Sequence, residues 1–324
     1  MLRQAMKEQQ REGKETKNMK KILVVGSLNM DMVLSVDHHP VPGETIIGDS
    51  LSYHSGGKGA NQAYAVGKLG GDVRMIGCVG WDDNGMILIE NLAQAGVDTT
   101  TIERVPEEPT GMAIIDVDKK GENSIVVISG ANACLTPSLL HKQKASVEWS
   151  DFIMTQLETP VDTVLELARM AKAAGKCMIL DPSPARADLP EEIFPLIDII
   201  KPNKKELSIL TGMPTGTDEE IEAAADVLLA KGVSKVVVSL GARGAMLADG
   251  SDKLFFEATA VKPVDTTAAG AAFTAAMVNG LAQGMGIIQA IRLANGVASI
   301  VVTRHGAQTS IPDREEVSDL VRSY

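Results

Sequence analysis

The chain has 324 residues, with 31 lysines and arginines against 42 aspartates and glutamates, which gives a formal net charge of −11. This acidic balance argues against a broad nucleic-acid or anionic-membrane surface, because such a surface requires a basic patch. Aromatic residues are only 3% of the chain, which also argues against base-stacking platforms for single strands. A small anionic ligand held at a local site is compatible with this charge.

The three cysteines, Cys78, Cys134 and Cys177, are far apart and belong to no CxxC or Cys/His cluster. We therefore expect neither a disulfide framework nor a zinc site, and we interpret them as reduced thiols of a cytoplasmic protein. No apolar run approaches the roughly 20 residues of a membrane span. Residues 1–18 are polar and lack the apolar region of a secretory signal, so we interpret them as a tail before one domain at 19–324.

Short apolar runs alternate along the chain with helical patterns. The predicted strands are Lys21–Gly26, Val73–Val79, Phe152–Gln156, Met178–Leu180, Ile197–Ile200 and Val236–Ser239. The predicted helices are Asn84–Ala95, Val161–Ala174, Lys204–Leu210, Asp218–Lys231, Ala271–Gln283 and Ile287–Val302. This alternation indicates βαβ units and predicts an α/β three-layer sandwich, with a mostly parallel central sheet between helices.

Two segments, at about 33–55 and 108–130, interrupt the alternation. Residues 33–53 look extended and rich in turns, whereas 113–118 and 123–129 are typical of a β-hairpin with a Lys-Gly turn. Together they would form a small sheet that covers the strand ends as a lid. Ordinary surface β-structure explains the pattern equally well, so both interpretations stay open.

The common nucleotide and metal motifs are absent from the sequence. No Gly-Lys pair is followed by Ser or Thr, so there is no P-loop, and no GxGxxG follows a predicted strand. HExxH, GxSxG and EF-hand patterns are missing too, and the five histidines form no ligand-spaced cluster. Any phosphate site in this chain must therefore use other features.

Three segments could supply such features, each with a simpler alternative. In 264–273, VDTTAAGAAF, small residues open a helix whose first-turn N–H groups would bind an anion, although packing explains small residues as well. In 55–61, SGGKGAN, glycines permit close approach and Asn61 suits hydroxyls, although a tight turn gives the same pattern. Asn29 and Asp31 follow the first strand, where α/β sheets bind ligands, although a turn and helix cap is equally typical.

Five motifs together resemble the ribokinase family of carbohydrate kinases. They are GSLNMD at 26–31, GGKGAN at 56–61, KPNKKE at 201–206, SLGARG at 239–244 and DTTAAGAAF at 265–273. The resemblance covers about residues 20–312 and implies an α/β sandwich whose β-lid serves as the clasp of a homodimer. It also implies ATP-dependent phosphorylation of the 5-hydroxyl of D-ribose, with Mg²⁺ accompanying ATP and K⁺ as an activator.

The resemblance further implies roles for individual residues. The positions that match the sugar site are Asn29, Asp31, Gly57, Lys58, Asn61 and Glu158. The positions that match the ATP and Mg²⁺ site are Asn203, Glu206, Ser239, Gly241, Gly244, Gly270 and Asn295. The positions that match the potassium site are Asp265, Thr267, Val301, Arg304, Gly306 and Ser310. Potassium bound there would order the anion hole, which includes Ala269 and Gly270.

The sequence departs from the family at one position. The family block ends in AGD, whose aspartate accepts the proton of the sugar's primary hydroxyl, whereas this chain has Ala271 there. Because alanine accepts no proton, we expect a rate loss of ~10²–10⁴-fold, with ligand binding retained. The other matched positions are intact, which indicates an engineered variant rather than a degenerated enzyme. The alternatives are a related kinase for deoxyribose, another sugar or a nucleoside, and a non-catalytic ribose or nucleotide sensor.

Overall fold

The computed structural model describes residues 19–250 and 252–322, so the predicted tail at 1–18 lies outside the described residues. The strands within these ranges are β1 (Lys21–Val25), β2 (Asn29–Ser35), β3 (Ser50–Gly56), β4 (Asp72–Gly80), β5 (Ile102–Val105), β6 (Gly111–Val117), β7 (Asn123–Ile128), β8 (Phe152–Thr155), β9 (Cys177–Leu180), β10 (Ile199–Ile200), β11 (Lys235–Ser239), β12 (Ala245–Asp249) and β13 (Asp252–Phe256). The α-helices are α1 (Lys58–Lys68), α2 (Asp83–Gln94), α3 (Pro137–Lys142), α4 (Lys144–Trp149), α5 (Val161–Ala173), α6 (Lys204–Thr211), α7 (Asp218–Ala230), α8 (Ala269–Ala282), α9 (Ile287–Val301) and α10 (Arg314–Arg322).

The central sheet has nine strands in the order β13-β12-β11-β10-β9-β8-β1-β4-β5. The strands from β11 to β5 pair in parallel, whereas β12 and β13 continue the sheet as antiparallel edge strands. Helical crossovers between parallel strands place helices on the faces of such a sheet. The predicted α/β fold with a mostly parallel sheet is therefore confirmed.

The alternation of side chains along β1 shows how the two faces are buried. Ile22 and Val24 pack into one core cluster together with apolar residues of α1, α8 and α9. Leu23 and Val25 point the other way, into a second cluster with residues of α5 and α7. Because successive strand residues face opposite sides, an uninterrupted apolar run is what a strand covered by helices on both faces requires. One cluster therefore fills the space between the sheet and the helices on one face, and the other cluster fills the space on the opposite face.

A second sheet has four strands in the order β3-β2-β6-β7, and we call it the lid sheet. It combines the two segments that interrupt the βα alternation, with β2 parallel to β6 and antiparallel to β3. The lid sheet begins at Asn29, before the predicted start at about residue 33. Two predicted sugar-site residues, Asn29 and Asp31, therefore lie on a lid strand rather than on a turn after β1.

The starts of several helices are fixed by side chains. Several of them begin at a side-chain cap, such as Asp82 at α2 and Thr217 at α7, which accept hydrogen bonds from first-turn amides. In the part of the chain that the structure describes, no helix is long and apolar enough to cross a membrane.

Candidate active site

A cavity of about 300 Å³ lies where the lid sheet faces the carboxyl ends of the parallel strands. Apart from four lid residues described below, its lining consists of Asn29, Asp31, Gly57, Lys58, Asn61, Glu158, Asp181, Ser183, Lys201, Asn203, Glu206, Ser239, Thr267, Ala268, Gly270 and Ala271. Glu158, Asp181 and Lys201 follow the ends of three neighbouring strands, β8, β9 and β10. This edge is where open parallel sheets bind ligands, because the helices and loops that follow the strands begin there.

All six residues predicted for the sugar site line this cavity. Glu158 organises one wall: its Oε2 accepts hydrogen bonds from Ser27 Oγ at 2.5 Å and from the Lys58 amide at 3.0 Å. Its Oε1 lies 3.2 Å from Lys58 Nζ. Burial alone would lower the pKa of Lys58, but the attraction and hydrogen bond of Glu158, together with attraction by Asp181 and Glu206, outweigh burial and raise the pKa. Lys58 is therefore a fixed cation at the cavity wall.

Asp31 presents a carboxyl group from the lid strand β2. Burial and, next, repulsion by Glu158 raise the pKa of Asp31 from 3.8 to about 7, although Lys58 opposes the shift. The carboxyl also lies so close to Gly56 that a Cβ there would sit 2.0 Å from Asp31 Oδ2, so only glycine fits. A desolvated carboxyl without a protein hydrogen-bond donor is a suitable acceptor for a ligand hydroxyl.

Gly57 and α1 bring the main chain close to the cavity from the same side. Gly57 has φ +90°, and a Cβ there would meet the backbone of Ser27, Leu28 and Asn29 within 3 Å. The next glycine, Gly59, would meet the Ser27 amide at 2.6 Å. The glycines of GGKGAN are thus required for the packing of α1 against the β1–β2 connection.

The amino-terminal end of α8 forms the opposite wall. Its cap residue, Ala268, adopts φ +60°, the only positive φ outside glycine in the described part of the chain. Gly270 and Ala271 follow in the first turn, and both line the cavity. The first-turn amides of a helix have no partner within the helix and lie at the positive end of its dipole. The predicted anion site therefore coincides with a helix amino terminus that lines the cavity, and anion binding there stays a prediction.

Two charged residues that were not predicted lie beside this anion site. Lys201 and Asp181 are almost fully buried and form an ion pair of 3.2 Å between Lys201 Nζ and Asp181 Oδ2. Lys201 Nζ is also 3.4 Å from the Gly270 carbonyl oxygen. Thr274 Oγ1 donates to Asp181 Oδ2 at 3.0 Å and Gln62 Nε2 donates to the same oxygen at 2.9 Å. A lysine held in this way adds positive charge next to the helix terminus.

Asn203 and Glu206 form a capping box at the start of α6. Asn203 Oδ1 accepts from the Glu206 amide, and Glu206 Oε2 accepts from the Asn203 amide, both at 2.8 Å. Glu206 also lines the cavity. A single carboxylate beside a phosphate site fits Mg²⁺, which keeps several waters and takes its other ligands from the phosphates.

The remaining residues predicted for the nucleotide lie along the same sheet edge. Ser239, at the end of β11, lines the cavity and pairs with Asn203 through an isolated bridge. Gly244 has φ +93°, and a Cβ there would sit 1.9 Å from the Phe256 carbonyl oxygen. Asn295 Nδ2 donates to the same carbonyl at 3.3 Å. Gly241, Gly244 and Asn295 therefore lie beyond the cavity, next to the β12–β13 edge.

Three of the residues predicted for potassium, Asp265, Thr267 and Gly306, are joined by hydrogen bonds in the loops before α8 and after α9. Asp265 bridges two loops, because its Oδ1 accepts from the Thr267 amide at 2.8 Å and its Oδ2 from the Gly306 amide at 2.9 Å. Burial would raise the pKa of Asp265, but these hydrogen bonds outweigh it and lower the pKa. The other predicted ligands, Val301, Arg304 and Ser310, lie at the end of α9 and in the following loop. The Arg304 side chain forms an ion pair with Glu316.

Sequence reasoning missed the apolar part of the cavity. It is formed by side chains of the lid strands β6 and β7, namely Ala113, Ile115, Ile125 and Val127. Their positions alternate along each strand, which is the signal of a single sheet face. That signal does not say which face turns toward the cavity, because the answer depends on how the lid sheet is placed over the central sheet.

A polar pocket joined to an anion site, a lysine and a carboxylate at the ends of parallel strands defines a phosphotransferase that acts on a small hydroxyl compound. The model of the pfkB family of carbohydrate kinases matches residues 19–314, and the chain belongs to this family.

Three comparisons illustrate the relationship to known proteins. A ribokinase from Haemophilus influenzae is 41% identical over 302 residues, which covers 93% of this chain and 98% of the relative. The structure of Arabidopsis thaliana ribokinase complexed with ribose and ATP has a TM-score of 0.89 and 35% identity, and covers 94% of this chain and 99% of the other. A deoxyribokinase from Salmonella typhi is 35% identical over 298 residues, which covers 92% of this chain and 97% of the relative.

Proposed function

We propose that the chain is a kinase that transfers a phosphoryl group from ATP to the 5-hydroxyl of D-ribose. The observation that carries this proposal is a single cavity in which the six sugar-site residues face Gly270, Lys201 and Glu206. Phosphoryl transfer depends mainly on positioning and on stabilising charge, and one cavity supplies both functions. The similarity to a ribokinase whose structure contains ribose and ATP supports the same assignment.

Ribose is favoured over a less hydroxylated sugar because the cavity has many groups for hydroxyls. Asp31 and Glu158 accept hydrogen bonds, whereas Asn29, Asn61 and Lys58 can donate them. A site built to bind a hydroxyl discriminates strongly against a ligand that lacks it. The similarity to a deoxyribokinase makes 2-deoxyribose the second candidate substrate.

Two metal ions belong to the proposal. Mg²⁺ bound with ATP would be held by Glu206 through water, and would neutralise charge on the transferred phosphate. K⁺ would bind near Asp265 and the loop after α9. Because Asp265 bonds to both Thr267 and Gly306, occupancy of that region would stabilise the turn that leads into Ala268 and the anion site.

Ala271 is the feature that limits the reaction. It stands in the first turn of α8 at the cavity wall, at the position where the family resemblance implies the aspartate that accepts the proton of the sugar's primary hydroxyl. Without this base we expect transfer to be ~10²–10⁴-fold slower, while binding of ribose and ATP persists. We infer that the change is an isolated, introduced substitution, because the other sugar, nucleotide and cation positions keep their side chains.

The lid sheet also fits a homodimer of a cytoplasmic protein with one domain at 19–324. In the strand register, Tyr53, Met32, Ile114 and Val126 lie side by side on the face away from the cavity. Tyr53 is 55% exposed and Val126 60% exposed, so this face has an apolar surface that a second copy would cover.

The test restores the base with Ala271→Asp and measures ATP-dependent phosphorylation of ribose, with and without potassium. We expect the variant to be ~10²–10⁴-fold faster than the parent chain and to be stimulated by K⁺ but not by Na⁺. The matched control is Ala271→Asn, which has the same shape but no basic carboxylate and should stay slow.

Calorimetry on the parent chain separates the alternatives. Ribose binding together with activity of the Ala271→Asp variant supports the kinase. Ribose binding without any activity in that variant would support a sensor instead. Faster turnover of 2-deoxyribose or a nucleoside than of ribose by the variant would replace ribose as the substrate.

A further inference from the structure

The two asparagines of the sugar site are oriented by other amides behind them. Asn29 Oδ1 accepts a hydrogen bond of 2.8 Å from Asn132 Nδ2. Asn132 is itself fixed by the main chain, because its Oδ1 accepts from the Leu28 amide at 2.9 Å and its Nδ2 donates to the Leu28 carbonyl at 3.1 Å. The backbone therefore determines that Asn29 keeps its oxygen on Asn132 and has its Nδ2 hydrogens available for a ligand.

Asn61 is linked through hydrogen bonds to two further amide side chains from other parts of the chain. Its Oδ1 accepts from Gln308 Nε2 at 2.9 Å, and Gln308 Oε1 accepts in turn from Asn91 Nδ2 of α2. Asn61 and Gln308 are both buried, at 8% and 5% exposure, so each amide has few other partners to choose from. The chain of amides runs from Asn91 through Gln308 to Asn61 with the same direction at each step.

This direction sets what the cavity offers to a sugar. With their oxygens bonded to Asn132 and Gln308, Asn29 and Asn61 keep their NH₂ groups available for a ligand, while Asp31 and Glu158 provide only acceptors when they are ionised. A hydroxyl can donate to a carboxylate and accept from an amide at the same time, so alternating donors and acceptors suit neighbouring hydroxyls. If the Asn61 side chain rotated by half a turn, its oxygen would face the cavity in place of its NH₂ group. A sugar hydroxyl between Asn61 and a carboxylate would then face two acceptors, although it has only one hydrogen to donate.

We propose that Gln308 is a specificity-determining positioning residue, which fixes Asn61 as a hydrogen-bond donor to one hydroxyl of the sugar. The inference rests on the proposed binding of ribose, and it concerns a residue that does not line the cavity. Gln308 acts only through Asn61, in a short 3₁₀ turn at Gln308–Ser310.

The test is Gln308→Glu, which preserves shape but has no N–H to donate. The new carboxylate accepts from Asn91 and repels Asn61 Oδ1, so Asn61 rotates its NH₂ toward it and turns its oxygen to the cavity. Calorimetry then compares the parent chain and the variant with D-ribose and with its 1-, 2- and 3-deoxy analogues. We expect ribose to bind ~10–100-fold more weakly to the variant, and one analogue, which lacks the hydroxyl contacted by Asn61, to lose little affinity.

The control variant is Gln308→Met, which removes the hydrogen bonds without imposing the opposite orientation. It should weaken ribose binding only a few-fold and spare the same analogue. Thermal unfolding of each variant shows whether it is folded. If Gln308→Glu does not fold, the affinities of Gln308→Met for the four sugars give the same comparison. An equal loss for all four sugars would refute the inference and leave Gln308 with a structural role. Failure of the parent chain to bind ribose would instead refute the proposed function.

Discussion

Replacing Asp31 by asparagine should make the fold more stable at alkaline pH than at acidic pH, relative to the parent chain. The Asp31 carboxyl belongs to the lid strand β2 and lines the cavity. Burial and, next, repulsion by Glu158 raise its pKa to about 7. In the unfolded chain the group has its ordinary pKa of 3.8. The native state therefore binds this proton more tightly than the unfolded state, and stability falls as the proton is lost.

The size of the effect follows from the two pKa values. A shift from 3.8 to about 7 is ~3 pKa units, or ~4 kcal/mol at ~1.4 kcal/mol per unit. Because Asp31 is half-buried rather than fully enclosed, solvent screens part of this cost, and we expect about 2–4 kcal/mol. The penalty on the parent chain is absent below pH ~4, grows between pH ~4 and ~7, and is complete above pH ~7. Asparagine carries no charge, so the variant does not have this pH-dependent loss of stability.

Urea unfolding of both proteins between pH ~4 and ~8.5 measures the prediction. The free energy of unfolding of Asp31→Asn, minus that of the parent chain, should rise by about 2–4 kcal/mol across this range. A matched control is Asp188→Asn, because the hydrogen bond to Arg186 lowers the pKa of Asp188 from 3.8, so this carboxyl titrates below the measured range and the difference should stay nearly flat with pH. A difference for Asp31→Asn that stays flat with pH would refute the reasoning. Ribose should bind more weakly to this variant at every pH.

Two further predictions concern the helix cap and the lid. Ala268→Gly should raise the free energy of unfolding in urea by about 1 kcal/mol, because alanine at φ +60° is strained and glycine is not. An unchanged or lower free energy of unfolding would contradict this. Val126→Asp should convert the proposed dimer to a monomer in sedimentation experiments, because it places a charge on the exposed apolar face of the lid sheet. Persistence of the dimer would exclude this face as the interface.

The parallel strands and the longer helices were predictable because their burial pattern is local. β1 is apolar at every core position, and α5 and α7 show a clear amphipathic period. The edge strands β5 and β13 were missed because each is short and contains two charged residues, and few of their side chains are fully buried. α1 was missed because it contains Gly59 and Gly67, which reduce intrinsic helix propensity. Tertiary packing on the β1–β2 connection makes it helical.

The polar site was predictable to the extent that motifs identify it. The six residues predicted for the sugar site line one cavity. Asp181 and Lys201 line it too but were not predicted, although Lys201 is the first residue of the KPNKKE segment. A signal existed, because both directly follow short buried strands, as ligand-binding residues of α/β sheets do. Gln308 gave no signal, because its role depends on contacts with Asn61 and Asn91 that are distant in sequence.

The contacts of the remaining carboxylates indicate why none of them would replace a base at position 271. Glu158 is bonded to Ser27 and Lys58, and Glu206 closes the capping box of α6. Asp181 Oδ2 already accepts from Gln62, Thr274 and Lys201, which fixes the side chain beneath the anion site. Of these four carboxyls, Asp31 alone has no such hydrogen bond from the described residues, but it is placed by the lid strand β2 and not by α8. In the proposed reaction, ligand binding and proton transfer would therefore rest on different groups, and we expect a change at 271 to affect proton transfer and to leave ligand binding.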